Sequence, residues 1–103
     1  MVKKIDAAEF HELLKRDEPV VVKFGAVWCN ACTAQTVQLN ELEEEVFEID
    51  TDKEFELSVS LGVKALPKIK VFKSGQLVRE YTGVFNTTAD ARFFVKNTNS
   101  DNV

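Results

Sequence analysis

Val20 to Phe24 reads Val-Val-Val-Lys-Phe, apolar and mostly β-branched on both faces except at Lys23. A segment that is hydrophobic on both faces belongs in the middle of a sheet covered from two sides, so it is read as a buried central strand. A sheet covered twice needs helices above and below it, and the flanking sequence supplies them. Asp6 stands as an N-cap with Glu9 three residues on, the pattern of a capping box. Phe10, Leu13 and Leu14 follow at helical spacing, until Asp17-Glu18-Pro19 ends the segment. Cys32 to Val46 holds no Gly or Pro and repeats Leu39, Leu42 and Val46, which predicts a second helix through that stretch. Its polar face, Glu41 and Glu43 to Glu45, is read as solvated surface.

The remaining elements fall around these. Val2 to Ile5 and Phe47 to Asp50 are short strands, and Asp52 is expected to cap a short helix running to Leu61, stopped by Gly62. Lys68 to Lys73 and Leu77 to Thr82 alternate at strand period around Ser74-Gly75-Gln76, a hairpin signal. Thr87 or Thr88 caps a last helix carrying Ala91, Phe94 and Val95. The order βαβαβα, then ββ, then α predicts an α/β fold with a mixed central sheet of four to five strands and four helices on its two faces. At 103 residues the chain is one domain, assigned to residues 1–96, with a polar tail over 97–103 that is expected to fray.

The net charge is −4, with no Lys/Arg cluster, so the counterion-displacing footprint of a nucleic-acid binder is missing. No apolar run is long enough to span a bilayer, and the first residues lead into an amphipathic segment instead of a signal core. A cytoplasmic, monomeric protein is the expectation. In that compartment a cysteine pair is more often catalytic or metal-binding than structural.

The chain has two cysteines, Cys29 and Cys32, in the run Phe24-Gly25-Ala26-Val27-Trp28-Cys29-Asn30-Ala31-Cys32. A buried strand enters a short loop, and a helix begins at or just after the first cysteine. Unpaired N–H groups and the positive end of the macrodipole both favour a thiolate there. The two-residue spacer brings both sulfurs together across one helical turn. Cys29 can then attack a substrate disulfide, and Cys32 can displace the product from the mixed disulfide. Three plainer readings stand beside this one. Zinc needs four ligands, and beyond the cysteines and the distant His11 it would have to recruit carboxylates or a second chain. An inert pair, or a structural disulfide closing a very short loop, are the others.

With Trp28-Cys29-Asn30-Ala31-Cys32 after a strand, Leu66-Pro67, the hairpin approach from Phe72 to Gly75, and Gly83 after the last strand, the chain resembles the thioredoxin family along most of its length. The resemblance implies the thioredoxin fold, a cis proline at Pro67 against the cysteine pair, and a substrate groove. Leu66 and Pro67 form one wall of that groove, with Trp28, Gly83 and the spacer residues Asn30 and Ala31 around it. It implies protein disulfides as substrates, and recycling by a flavoprotein thioredoxin reductase or by glutathione. No bound cofactor or metal is implied, and the sequence has no glycine-rich dinucleotide motif.

The departures bear on tuning. The family's usual spacer is Gly-Pro, and Asn30-Ala31 frees one more backbone N–H near the helix start. Gly25 replaces a common bulky aromatic and leaves space behind the site, and the stretch from Cys32 to Asp52 is shorter than is typical. A buried aspartate is usual at Lys23, with a lysine at the position that falls on Glu48 when counted back from Pro67. The pair looks charge-swapped, with Glu48 as proton shuttle for Cys32 and Lys23 favouring its thiolate; the alternative is a lysine that snorkels to the surface. Stabilising the reduced form implies a less reducing couple than the Gly-Pro type. The expected function is protein-disulfide reduction; glutaredoxin-like or oxidase/isomerase chemistry, and a non-catalytic binding module using the same groove, are the alternatives.

Overall fold

The computed structural model describes residues 1–96. The tail over 97–103 expected from sequence lies outside the described residues.

Five strands form one mixed sheet in the order β1-β3-β2-β4-β5. They are β1 (Val2–Lys4), β2 (Val20–Gly25), β3 (Val46–Asp50), β4 (Lys68–Lys73) and β5 (Gln76–Thr82). β1, β3 and β2 run parallel, whereas β4 is antiparallel to both β2 and β5. β2 is therefore central and buried at every residue, as its two-sided apolar pattern requires.

Helices α1 (Ala7–Leu13) and α3 (Phe55–Ser60) cover one face, and α2 (Asn30–Asn40) and α4 (Thr88–Lys96) cover the other. Alternation along β2 sorts its side chains between two cores. Val20, Val22 and Phe24 join Phe10, Leu13, Ile49 and Leu57 on the first face, while Val21 joins Leu39, Ile69, Ala91 and Val95 on the second. Lys23 and Gly25 share the parity of Val21, so they lie under α2, the helix that carries the second cysteine.

The local signals that end elements are realised in atoms. The Asp6 carboxylate accepts the Glu9 N–H at 2.8 Å, and the Glu9 carboxylate accepts the Asp6 N–H at 3.0 Å. The β4–β5 turn places Ser74 at φ 51° and Gly75 at φ 80°, the left-handed pair that a two-residue hairpin with a matching twist demands. Of the two candidate caps of α4, Thr87 is the one used, its hydroxyl accepting the Asp90 N–H at 3.0 Å.

Two expectations are corrected. The helix predicted from Cys32 to Val46 stops at Asn40, and Val46 opens β3. Leu39, Leu42 and Val46 are all buried, but Val46 gets there as a strand residue opposite Val2, not as the next turn of a helix. Backbone pairing with β1 and β2 on both sides of β3 outweighs the helical propensity of the glutamate run. Asp52 does not cap α3, whose N-cap is Glu54 without a side-chain hydrogen bond. Its carboxylate accepts the indole N–H of Trp28 at 2.9 Å instead.

Candidate functional site

β2 ends at Gly25, the chain turns through Ala26 to Trp28, and α2 starts at Asn30 with Cys29 as its N-cap. A sulfur at that position faces the helix's unpaired donors, and Cys29 Sγ accepts the Cys32 N–H at 3.1 Å. Cys29 and Cys32 are joined as a disulfide with their Cα atoms 5.2 Å apart, within the ordinary range for such a bond. Ala26 and the two cysteines form a small buried cluster, against which Leu66 packs. The Leu66–Pro67 peptide bond is cis.

Most of the residues singled out from sequence converge here. Trp28 is 67% exposed, held at its indole nitrogen by Asp52. Trp28, Cys29 and Leu66 line one groove of about 290 Å³ with Asp52, Phe55 and Val59. Asn30 and Ala31 are exposed beside it. Pro67 is buried, and its carbonyl accepts the Gly83 N–H at 2.9 Å, which ties Gly83 to the same loop.

Beneath the disulfide the charged pair is formed. Lys23 has no exposed surface, and its Nζ lies 3.1 Å from Glu48 Oε2, across the parallel register that sets Lys23 opposite Glu48. The ammonium also donates to Thr36 Oγ1 at 2.9 Å and, more weakly, to the carbonyl of Cys32 at 3.4 Å. The snorkelling alternative is therefore set aside. Burial pushes the Lys23 pKa down, and the charge and hydrogen bond of Glu48 push it partly back.

Gly25 provides the space this arrangement needs. A Cβ on Gly25 would lie 3.1 Å from Cys32 Cβ, 3.2 Å from Cys32 Sγ and 3.4 Å from Lys23 Nζ. The ammonium nitrogen and the second sulfur thus both lie within 3.4 Å of that one point. A cleft of about 460 Å³ opens behind it, lined by Gly25, Cys32, Thr36 and Glu48, so the carboxylate that pairs with Lys23 also meets solvent. Glu48 itself is linked to the Cys32 backbone through Lys23.

A family model described as Thioredoxin matches residues 1–96, all of the described chain. The chain belongs to the thioredoxin family. Among thioredoxin relatives, the Aspergillus fumigatus thioredoxin Asp f 29 is 38% identical over 91 residues, covering 80% of this chain and 83% of that one. Thioredoxin-1 of Schizosaccharomyces pombe is 30% identical over 89 residues, covering 81% and 86%. The chain spans 44% of the length of a rice relative, the chloroplastic thioredoxin-like protein CITRX, to which it is 36% identical. The solved thioredoxin of Trypanosoma brucei brucei shares the fold with a TM-score of 0.82 at 19% identity, covering 97% of this chain and 92% of that one. Family membership together with the Cys29–Cys32 disulfide supports thiol–disulfide oxidoreductase activity. Among the described residues no helix is long and apolar enough to cross a membrane, and no cluster of three or more His, Cys, Asp or Glu is arranged to hold a metal.

The sequence reading passed over Thr36 and Gln35 and gave Asp52 another role. Thr36 follows Cys32 by one helical turn and was findable from the i, i+4 spacing. Asp52 was seen, but as a cap. Gln35 went unremarked, although it lies on the buried stripe of α2 between Cys32 and Leu39.

Proposed function

We propose that this chain reduces disulfides of protein substrates, with Cys29 as nucleophile and Cys32 as resolving thiol. The observation that carries the reading is the placement of Cys29 as N-cap of α2, in a groove shared with Trp28 and Leu66 and within disulfide reach of Cys32. In the reduced protein the Cys29 thiolate attacks one sulfur of the substrate disulfide. The substrate S–S bond breaks, one substrate thiolate leaves and takes a proton, and a Cys29–substrate mixed disulfide remains. Cys32 then loses its proton and attacks Cys29 Sγ, which expels the second substrate thiolate and closes the Cys29–Cys32 disulfide. Two electrons from a flavoprotein reductase, or from two molecules of glutathione, return the dithiol. A monomer acting in the reducing cytoplasm meets these requirements.

Lys23 and Glu48 tune the second step. The Lys23 cation beside Cys32 favours its thiolate, and Glu48, which reaches both Lys23 and the open cleft, accepts the proton that Cys32 gives up. Leu66, Pro67 and Gly83 act as the wall against which an extended substrate segment lies, with Trp28, Asn30 and Ala31 opposite.

Favouring thiolates stabilises the dithiol relative to the disulfide, so the couple is set less reducing than thioredoxin's value of about −270 mV. Equilibration with defined ratios of reduced and oxidised glutathione, read by thiol alkylation, gives the potential. A value above that reference is expected; a value at or below it overturns the tuning role of Lys23.

A further inference from the structure

Helix α2 buries a stripe of three side chains, Cys32, Gln35 and Leu39. The spacing is that of one helix face, yet an amide fills the middle position where a hydrocarbon would pack. Gln35 is 0% exposed. Its Nε2 donates to the carbonyl of Gly83 at 2.8 Å, while its Oε1 is buried without a hydrogen-bond partner. Gly83 lies just past the end of β5 at φ 101°, and its own N–H donates to the carbonyl of Pro67. Two hydrogen bonds in series therefore run from the helix turn that bears Cys32 to the proline step beside the disulfide. Gln38, one turn further, brackets Phe85 in the same segment, donating to its carbonyl at 2.7 Å and accepting its N–H at 3.2 Å.

An amide that leaves its own oxygen unpaired in a core carries a penalty that an apolar side chain of similar length would not. What it adds is direction. A hydrogen bond fixes distance and angle where apolar contact fixes neither. Gly83, with no side chain to anchor it and a backbone conformation that few residues adopt, is the position that gains most from such a hold.

We propose that Gln35 is a positioning residue for substrate binding: through Gly83 it holds Pro67 at a set distance from the Cys29–Cys32 turn and so fixes the width of the groove. The ligand that reads this width is an extended peptide segment flanking the substrate disulfide. The inference rests on the reading of Leu66, Pro67 and Gly83 as the groove wall. A small disulfide without flanking chain does not span that wall and is indifferent to it.

The test compares reduction of insulin with reduction of hydroxyethyl disulfide by the 103-residue chain and its Gln35→Met variant. The expected result is a KM for insulin raised about tenfold with kcat retained, and a hydroxyethyl disulfide rate within about twofold of the parent, because the binding lost is shared equally by ground state and transition state. The Gly83 amide, measured by hydrogen exchange, should exchange faster in the variant. Gln35→Glu supplies a second readout that also serves if the methionine variant does not fold. Its buried carboxyl stays protonated at low pH, donates to the Gly83 carbonyl and keeps the parent KM, which then climbs as the carboxyl ionises. A folded Gln35→Met protein with unchanged insulin KM, or a Gln35→Glu protein whose KM does not follow pH, overturns the role of Gln35. Absence of insulin turnover by the parent protein overturns the groove reading itself, and the two failures are thereby told apart.

Discussion

Replacing Cys29 with serine is expected to lower insulin-disulfide reduction by about a thousandfold or more, to the rate of the reductant alone. The loss is chemical. A serine hydroxyl is not ionised at neutral pH and has no sulfur with which to form the mixed disulfide. The remaining Cys32 is the more deeply buried sulfur and does not line the groove that Cys29 shares with Trp28 and Leu66. Structure should survive, because serine is itself a favoured N-cap and can accept the Cys32 N–H that Cys29 Sγ accepts now. The proper reference is the reduced parent protein, since the variant has no disulfide to contribute to stability. Matching circular dichroism and urea midpoints against that reference, with turnover gone, gives the expected outcome. Substantial turnover in Cys29→Ser would place the nucleophile elsewhere.

The second large effect is on stability and concerns the pair beneath the disulfide. Glu48→Gln keeps the side chain's shape and an acceptor for Lys23 Nζ but removes its charge. A fully buried ammonium then faces only neutral groups, Thr36 Oγ1 and the Cys32 carbonyl. Removing one partner of a buried ion pair costs about 3 kcal/mol, and the urea midpoint should fall with the slope unchanged. Lys23→Met behaves differently. Glu48 is 17% exposed on the cleft and stays hydrated, so this variant is expected within about 1 kcal/mol of the parent or above it. The two also differ in pH dependence. Burial holds the Lys23 pKa below its ordinary 10.5. Below the lowered value the lysine is charged in both folded and unfolded chains, and its burial cost is fully present. Between that value and 10.5 the folded protein sheds the proton first, so the cost fades and the parent gains on Lys23→Met as pH rises. Unfolding free energies of both proteins across that range check this; a difference that stays flat with pH contradicts it. Loss of the pH dependence of disulfide reduction in Glu48→Gln would tie the same carboxylate to the proton of Cys32.

Much of this was legible because it is local. The Asp6–Glu9 capping box, the Ser74-Gly75 turn and the Gly62 stop at φ 72° are decided by a few neighbouring residues. The central place of Val20 to Phe24 follows from a pattern with no polar face. Lys23 is instructive in both directions. The strand left Lys23 either buried in a pair or snorkelling to the surface, and its partner Glu48 lies 25 residues away, where only the family pattern pointed. What the sequence hid is set by tertiary competition. The end of α2 depends on β3 pairing on both edges, which no window around Glu41 to Glu45 contains. Asp52 has cap chemistry in isolation and turns to Trp28 only once the β2–α2 loop stands beside it. Gln35 is unreadable for a similar reason: nothing local says that the carbonyl it meets belongs to Gly83, 48 residues on.

In the proposed mechanism Cys29 bonds covalently to substrate and Cys32 releases it. The most direct measurement uses Cys32→Ser with oxidised insulin, separated without reductant and read by mass spectrometry. A stable adduct joined through Cys29 and released by dithiothreitol is expected, together with stalled turnover. Continued reduction of insulin at the parent rate with no adduct would contradict it.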